Sequence, residues 1–248
     1  MAVGKVCLLQ PDWSERPLSE TTPPQHWVIL DSAEVPCDKT VVRLFQRRHD
    51  FAIRVDASEL MASGVHGSED ALAHEACKRV GMRPKARLLI GGLGMGYTLA
   101  AALESLKPDA TVVVAEIVPA VVKWNRGPIG HLAGFPLEDP RVEVQETDVA
   151  QLVREGNSSY DAILLDVDNG PRALTSAENG WLYSPAGLKA ASNALTPSGV
   201  LAVWSAWPDP SFTARLRRIG FQVEEVKVRS RGSKGGRRHL LWMASRKD

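Results

Sequence analysis

A glycine-rich segment and several carboxylates are the residues of this chain best suited to chemistry. Gly91-Gly92-Leu93-Gly94-Met95-Gly96 follows an apolar run and precedes a stretch with helical character. Glycine allows the backbone to turn tightly and to approach a ligand closely. The N-terminus of the next helix offers N–H groups that have no partner within the helix. We therefore expect a bound nucleoside to contact Gly91, Gly92, Gly94 and Gly96.

The spacing of these glycines favours one class of nucleoside. The dinucleotide pattern GxGxxG would need a small residue at position 97, where this chain has Tyr97. The pattern present is GxGxG, formed by Gly92, Gly94 and Gly96. It favours S-adenosylmethionine-type nucleosides over NAD, so a dehydrogenase is the weakest alternative.

Two acids follow the next two predicted strands. Glu116 ends the second strand, about 20 residues after the glycines, where an acid can accept hydrogen bonds from ribose hydroxyls. Asp148 follows the third strand, where it could bind the adenine amino group, cap a helix, or do both. Both residues are predicted to contact the nucleoside.

A polar cluster follows the fourth predicted strand. Asp166 ends that strand, and Asp168 and Asn169 lie in the loop beyond it. Ligand crevices of open α/β sheets lie at the carboxyl ends of the strands. A carboxylate there could hold a cationic amine or accept its proton, although Asp and Asn are also turn residues. We predict Asp166, Asp168 and Asn169 as the catalytic group.

Alternation of apolar strands with helices from Ala86 onward predicts a parallel sheet covered on both faces. Two strands in succession at the end, Gln222 to Val228 and Leu240 to Ala244, predict a closing antiparallel hairpin. The fold class is therefore α/β, with a Rossmann-like seven-stranded methyltransferase sheet. Short β runs before it predict a small N-terminal β domain over residues 1–62. The catalytic domain would span 63–248, with a gate or linker helix over 63–85 that Ser68 would cap.

The motifs from Leu88 to Trp204 resemble the catalytic domain of spermidine synthases. The matching segments are IGGLGMG, EIVPAVV, DPRVEV followed by Asp148, YDAILLDVDNGP and ALTPSGVLAV. The N-terminal β segment and the GSEDALAHEAC helix resemble the small β domain and gate region of that family. The resemblance implies a transferase that moves a group from a sulfonium nucleoside to a nucleophile, usually an amine, and leaves open a homodimer.

Two departures from the family pattern indicate which group is transferred. The family loop reads GGGDGG, and this chain has Gly94 at the position of its Asp. In the motif after the fourth strand, Asn169 occupies the position of the second Asp of the family, and Asp168 lies one residue earlier. An Asp in this loop would repel the carboxylate of full S-adenosylmethionine, and a glycine removes that repulsion. The glycine also leaves backbone N–H groups available to bind the carboxylate. We therefore expect methyl transfer. Aminopropyl transfer from decarboxylated S-adenosylmethionine is the alternative, with Asp168 or Glu69 as substitute acid, and a non-catalytic nucleoside-binding protein is a further one.

Four residues are candidates for the acceptor pocket. Trp204 and Trp207 follow the fifth strand and could hold an amine through cation–π contact, or pack in the core or a lid. Glu69 lies in the gate segment, and Tyr183 follows the strand-four loop. The predicted acceptor is a small molecule with an amine group.

The bulk composition excludes several other classes. A net charge of +1 gives no general attraction to nucleic acid or membranes, although the last hairpin loop is basic. Three scattered cysteines, Cys7, Cys37 and Cys77, and six histidines without a ligand pattern predict no metal site. No signal peptide or membrane span is apparent, so we expect a cytoplasmic protein.

Overall fold

The computed structural model describes residues 23–36, 40–56, 58–80, 82–167, 170–171 and 179–247. Two of the predicted catalytic residues, Asp168 and Asn169, lie outside these ranges, as do Cys7 and Cys37. None of the helices in the described ranges is long and apolar enough to cross a membrane.

The described chain forms eleven strands and seven α-helices. The strands are β1 (Val28–Glu34), β2 (Val41–Arg47), β3 (Asp50–Val55), β4 (Ser58–Ala62), β5 (Arg87–Gly91), β6 (Thr111–Ala115), β7 (Val142–Gln145), β8 (Tyr160–Leu165), β9 (Leu195–Ser205), β10 (Gln222–Arg229) and β11 (Arg238–Ser245). The helices are α1 (Gly67–Val80), α2 (Tyr97–Ser105), α3 (Pro119–Arg126), α4 (Val149–Glu155), α5 (Asn179–Leu182), α6 (Pro185–Ala194) and α7 (Pro210–Ile219).

The larger sheet has seven strands in the order β10-β11-β9-β8-β5-β6-β7. Strands β5 to β9 pair in parallel, whereas β11 pairs antiparallel with both β9 and β10. This arrangement confirms the predicted α/β class and the closing hairpin. The central strands are continuously apolar because helices cover both faces, so Leu88, Leu89 and Ile90 of β5 are all buried.

The smaller sheet joins β1, β2, β3 and β4 in antiparallel order. Its inward side chains, such as Leu44 and Ile53, belong to the same apolar cluster as Ile90 and Met95 of the large sheet region. The two sheets therefore share one continuous core. We propose residue 62 as the boundary between the small N-terminal domain and the catalytic domain. The apolar core continues across this boundary.

The helix α1 begins at Gly67, two residues before the start that a Ser68 cap would give, so the prediction that Ser68 caps this helix was wrong. The amide of Gly67 donates to the carbonyl of Ser230 at 2.9 Å, which joins the helix start to the β10–β11 hairpin. A Cβ atom on Gly67 would lie 2.3 Å from the backbone nitrogen of Gly232. Only glycine allows this approach, and the contact fixes where α1 starts.

We expect Gly67→Ala to destabilise the fold because the new methyl group meets backbone that cannot move aside. The expected loss in the free energy of unfolding is roughly 1–3 kcal/mol, as for other overpacked sites. The matched control is Gly64→Ala, since an added Cβ there would meet nothing within 4 Å. Urea unfolding of the three proteins measures the effect, and equal midpoints for the two variants would contradict this packing.

Candidate functional site

A cavity of about 270 Å³ lies at the carboxyl ends of β5, β6 and β8, close to the lower end of the ~300–1,000 Å³ range of small-molecule sites. One wall is apolar and comes mainly from the small sheet. The opposite side carries the glycine loop and the acids. The lining residues are Val35, Pro36, Thr40, Val42, Ile53, Val55, Leu60, Met61, Glu69, Gly92, Gly94, Ala115, Glu116, Ile117, Val118, Val121, Thr147, Asp148, Val149, Asp166, Val167 and Trp204.

The glycine loop has the left-handed backbone that its composition predicts. The φ angles of Gly92, Gly94 and Gly96 are 86°, 53° and 82°. A Cβ atom on Gly92 would also lie 2.7 Å from the carbonyl oxygen of Asp166. Gly92 and Gly94 line the cavity. The loop therefore packs tightly against the end of β8, and glycine is required there for both conformation and space.

The N–H groups of this loop are used within the protein. The amide of Gly92 donates to Ala115 O at 2.9 Å, and that of Gly96 donates to Leu93 O at 2.8 Å. The amide of Leu93 donates to Oε2 of Glu116 at 2.9 Å. The structure thus gives no support to the expectation that a glycine at position 94 frees loop amides to bind a substrate carboxylate.

Glu116 binds the loop to the segment before α3. Its Oε1 accepts a hydrogen bond from the amide of Val118 at 2.9 Å, while Oε2 accepts from Leu93. Burial raises the pKa of Glu116, and the backbone N–H donors oppose this rise. The amides of Ile117 and Gly94 also bond to this carboxylate. Glu116 lines the cavity, and its contact with ribose hydroxyls remains a prediction.

Asp148 lies at the start of α4, where its Oδ1 accepts a hydrogen bond from the amide of Ala150 at 2.8 Å. The expected capping role is therefore confirmed. Asp148 also lines the cavity beside Thr147. Its contact with an adenine amino group remains a prediction.

Asp166 and Glu69 come from distant parts of the chain and line the same cavity. Asp166 directly follows β8, and its Oδ2 accepts a hydrogen bond from the hydroxyl of Thr98 at 2.7 Å. Burial raises the pKa of Asp166, and the Thr98 bond opposes this rise. Burial, followed by the charge of Asp166, raises the pKa of Glu69 to about 7. The two carboxylates therefore repel each other through the cavity.

The predicted aromatic contacts divide into two groups. Trp204 lines the cavity and lies 4.8 Å from the ring of His239, and no described residue makes a hydrogen bond to its buried Nε1. Trp207 is 54% exposed and does not line the cavity. Tyr183 is buried in the core, where its hydroxyl donates to the carbonyl of Val167 at 3.3 Å. Tyr183 thus contacts Val167, which lines the cavity, but does not line the cavity itself.

Sequence reasoning missed the apolar wall of the cavity and Met61 in particular. The Met61 sulfur would lie 3.1 Å from a Cβ atom on Gly94, so this thioether fills the space that a side chain at position 94 would need. Strand β4, which carries Met61, lacks β-branched residues and regular alternation. No local signal in the sequence therefore indicated that Met61 faces the glycine loop.

The ionisable residues in the described lining of the cavity are all acids. Glu69, Glu116, Asp148 and Asp166 line it, and none of the described lining residues is Lys, Arg or His. Low-dielectric walls that carry one sign of charge concentrate the field inside a cleft. The cavity therefore suits a ligand with positive charge and disfavours one that carries a free carboxylate.

The fold defines a Rossmann-like α/β protein with a cavity at the carboxyl ends of its parallel strands, and comparison with known proteins narrows this class. The sequence is 30% identical over 129 residues, 50% of this chain, to polyamine aminopropyltransferase 1 of Streptomyces coelicolor. The chain spans about a quarter (23%) of that relative's length. No protein-family model matches the chain.

Solved structures of spermidine synthases share the fold. A spermidine synthase in complex with the transition state analogue AdoDATO and the spermidine synthase from Thermotoga maritima both superpose with a TM-score of 0.67, at 19% and 17% identity. Both matches cover 88% of this chain and 72% of the other. A probable spermidine synthase from Corynebacterium glutamicum superposes with a TM-score of 0.60 at 15% identity, covering 87% of this chain and 79% of that one. The chain resembles spermidine synthases in fold and, over half of its length, a polyamine aminopropyltransferase in sequence.

We expect Glu69→Gln to change how stability depends on pH. The folded-state pKa of Glu69 lies above its ordinary value of 4.5, so the folded chain binds this proton more tightly than the unfolded chain. The free energy of unfolding of the wild type therefore falls as pH rises from about 4.5 to 7. Glutamine removes this loss, and the Tm of Glu69→Gln at pH 8 should exceed that of the wild type by roughly 2–5 °C.

The control is Glu104→Gln, because Glu104 is an exposed glutamate on α2. Thermal unfolding at pH 4 and pH 8 measures the difference. A Tm of Glu69→Gln that tracks the wild type at both pH values would show that Glu69 ionises normally.

Proposed function

We propose that this chain is a transferase of the spermidine synthase type, which moves the aminopropyl group of decarboxylated S-adenosylmethionine to an amine acceptor. The observation that carries the proposal is the charge of the cavity: four carboxylates line it, without a cationic residue among its described lining. Decarboxylated S-adenosylmethionine carries an ammonium group and lacks a carboxylate. The aminopropyltransferase relative points to the same reaction.

Methyl transfer from S-adenosylmethionine, the expectation drawn from Gly94, is not supported by the comparisons. The amides of Gly92, Leu93 and Gly96, which flank Gly94, already have protein acceptors. A substrate carboxylate would find acids and no basic side chain among the described lining residues. Met61 fills the space beside Gly94, so the missing loop acid leaves an apolar surface there and no anion site.

The residues of the chain have separable roles in this proposal. When bound, the sulfonium nucleoside supplies an electrophilic carbon and a neutral thioether leaving group. Glu116 and Asp148 hold the ribose and the adenine, and the glycine loop allows close approach. An amine must lose a proton as it forms the new C–N bond, and Asp166, held through Oδ2 by Thr98, offers Oδ1 to orient the amine and take that proton. Alignment of the two reactants supplies much of the rate.

The experiment that tests this function is product analysis by mass spectrometry. The purified chain is incubated with decarboxylated S-adenosylmethionine and, separately, with S-adenosylmethionine, each with a panel of linear amines. We expect methylthioadenosine and an aminopropylated amine from the first mixture.

Asp166→Asn should retain methylthioadenosine binding and lose about 100-fold or more in rate, the typical loss for a missing general base.

Other outcomes of this assay would contradict the proposal. S-adenosylhomocysteine formed in the second mixture would identify a methyltransferase. Binding of both nucleosides without turnover over the whole amine panel would identify a non-catalytic nucleoside-binding protein.

A further inference from the structure

The pair formed by Glu69 and Asp166 is built from four elements of the fold. The first turn of α1 places Glu69, and the end of β8 places Asp166. The buried hydroxyl of Ser68 donates to Oε2 of Glu69 at 2.6 Å, and Thr98 on α2 donates to Oδ2 of Asp166. Since both carboxylates line the cavity, the small sheet closes over them from the other side.

Each carboxylate of the pair is held by a side-chain hydroxyl through one oxygen. No other described side chain donates a hydrogen bond to either carboxylate, although the backbone amide of Glu69 also bonds to its own carboxylate. Polar groups in protein interiors normally have a partner. The other oxygens, Oε1 of Glu69 and Oδ1 of Asp166, are therefore the acceptors that the cavity offers to a ligand with N–H donors.

The charged groups around the pair do not neutralise it. Asp70 and Asp166 both add negative charge near Glu69, and Tyr97, whose pKa is raised to about 12 by burial and then by Asp70 and Glu69, stays neutral. His66 bonds to Asp70 at 2.8 Å and stacks on Tyr97 at 4.1 Å. Glu116 and Asp148 are the remaining charged residues of the described lining, and both are acids. Neither Glu69 nor Asp166 forms an ion pair with a described residue.

We propose that Glu69 and Asp166 together bind one alkylammonium group of the substrates, and so provide the negative charge that Gly94 does not. This inference rests on the proposed function and deepens it. An ammonium group has three donors and no acceptor, which matches two carboxylate oxygens that have no donor among the described side chains. The group comes either from the aminopropyl arm of the nucleoside or from the amine acceptor.

Proton release should accompany this binding. Burial raises both pKa values, and the charge of Asp166 further raises the pKa of Glu69, to about 7, so the pair retains a proton near pH 6.5. An ammonium ion favours the fully charged pair, so its binding expels that proton into solution. At pH 8.5, which is above the pKa of Glu69, this residue has little proton left to release.

Isothermal titration in two buffers of different ionisation enthalpy measures the released protons directly. The probes are decarboxylated S-adenosylmethionine, putrescine and 5′-methylthioadenosine, which lacks an ammonium group. For the wild type at pH 6.5 we expect release of up to about one proton with whichever ammonium probe the pair binds, and none with methylthioadenosine. This comparison shows whether the pair binds the ammonium group of the aminopropyl arm or that of the amine acceptor.

Glu69→Gln should reduce the released protons to less than half and weaken the same ammonium probe about 10- to 100-fold, as expected for a lost charge-assisted hydrogen bond. Its affinity for methylthioadenosine should stay within about twofold, which shows that the variant is folded. The control Glu104→Gln should titrate like the wild type.

The failure of this inference can be told apart from the failure of the proposed function. Methylthioadenosine binding without proton release by either ammonium probe would overturn the pair and leave the nucleoside site intact. If methylthioadenosine does not bind, the nucleoside site fails, whereas proton release on putrescine binding that Glu69→Gln abolishes would still support the pair.

Discussion

The contact on which the site depends is the one between the buried carboxylate of Glu116 and the backbone amides of two segments. Leu93 donates to one oxygen and Val118 to the other, each at 2.9 Å. A carboxylate loses hydration when it is buried, and charge-assisted bonds to backbone amides offset this cost. One side chain thereby ties the glycine loop after β5 to the segment after β6. The loop shape and the position of the acid are fixed together.

This contact decides which charges the cavity can accept. Loop amides that bind Glu116 and neighbouring carbonyls cannot also bind a substrate carboxylate. The small sheet adds an apolar wall, and Met61 reaches the space beside Gly94. The groups that remain for polar recognition include four carboxylates, of which Glu69 and Asp166 each keep an oxygen without a donor among the described side chains. In the proposed function, recognition of a cation follows from how the backbone donors are used.

Much of the fold follows from periodicity and composition. Short apolar runs separated by helices predict the parallel sheet, and the two closing strands without a helix between them predict the antiparallel edge. Strand β4 carries no such signal, since Ser58, Glu59 and Leu60 are exposed, and the strand is held by its pairing with β3 and by the packing of Met61. The start of α1 was misplaced because Gly67, not Ser68, meets the β10–β11 hairpin, which is a contact between distant segments.

The individual residues of the candidate site could be predicted from the sequence, but their positions relative to one another could not. The strand-end positions of Glu116, Asp148 and Asp166 follow from the order of strands. That Glu69 shares a cavity with Asp166 depends on how α1 packs across the sheet, and no local pattern encodes this. The inference from Gly94 failed for a similar reason, because the loss of a side chain says nothing about whether the neighbouring amides are already bonded.

The most direct test of a cavity that accepts a cation and rejects a carboxylate is a pair of dissociation constants, measured by calorimetry at pH 8 for decarboxylated S-adenosylmethionine and for S-adenosylmethionine. The two ligands differ only in the carboxylate. We expect the decarboxylated form to bind at least about 10-fold more tightly, which corresponds to roughly 1.4 kcal/mol. Equal affinity, or tighter binding of S-adenosylmethionine, would contradict the assignment of the acids and restore the methyl-transfer hypothesis.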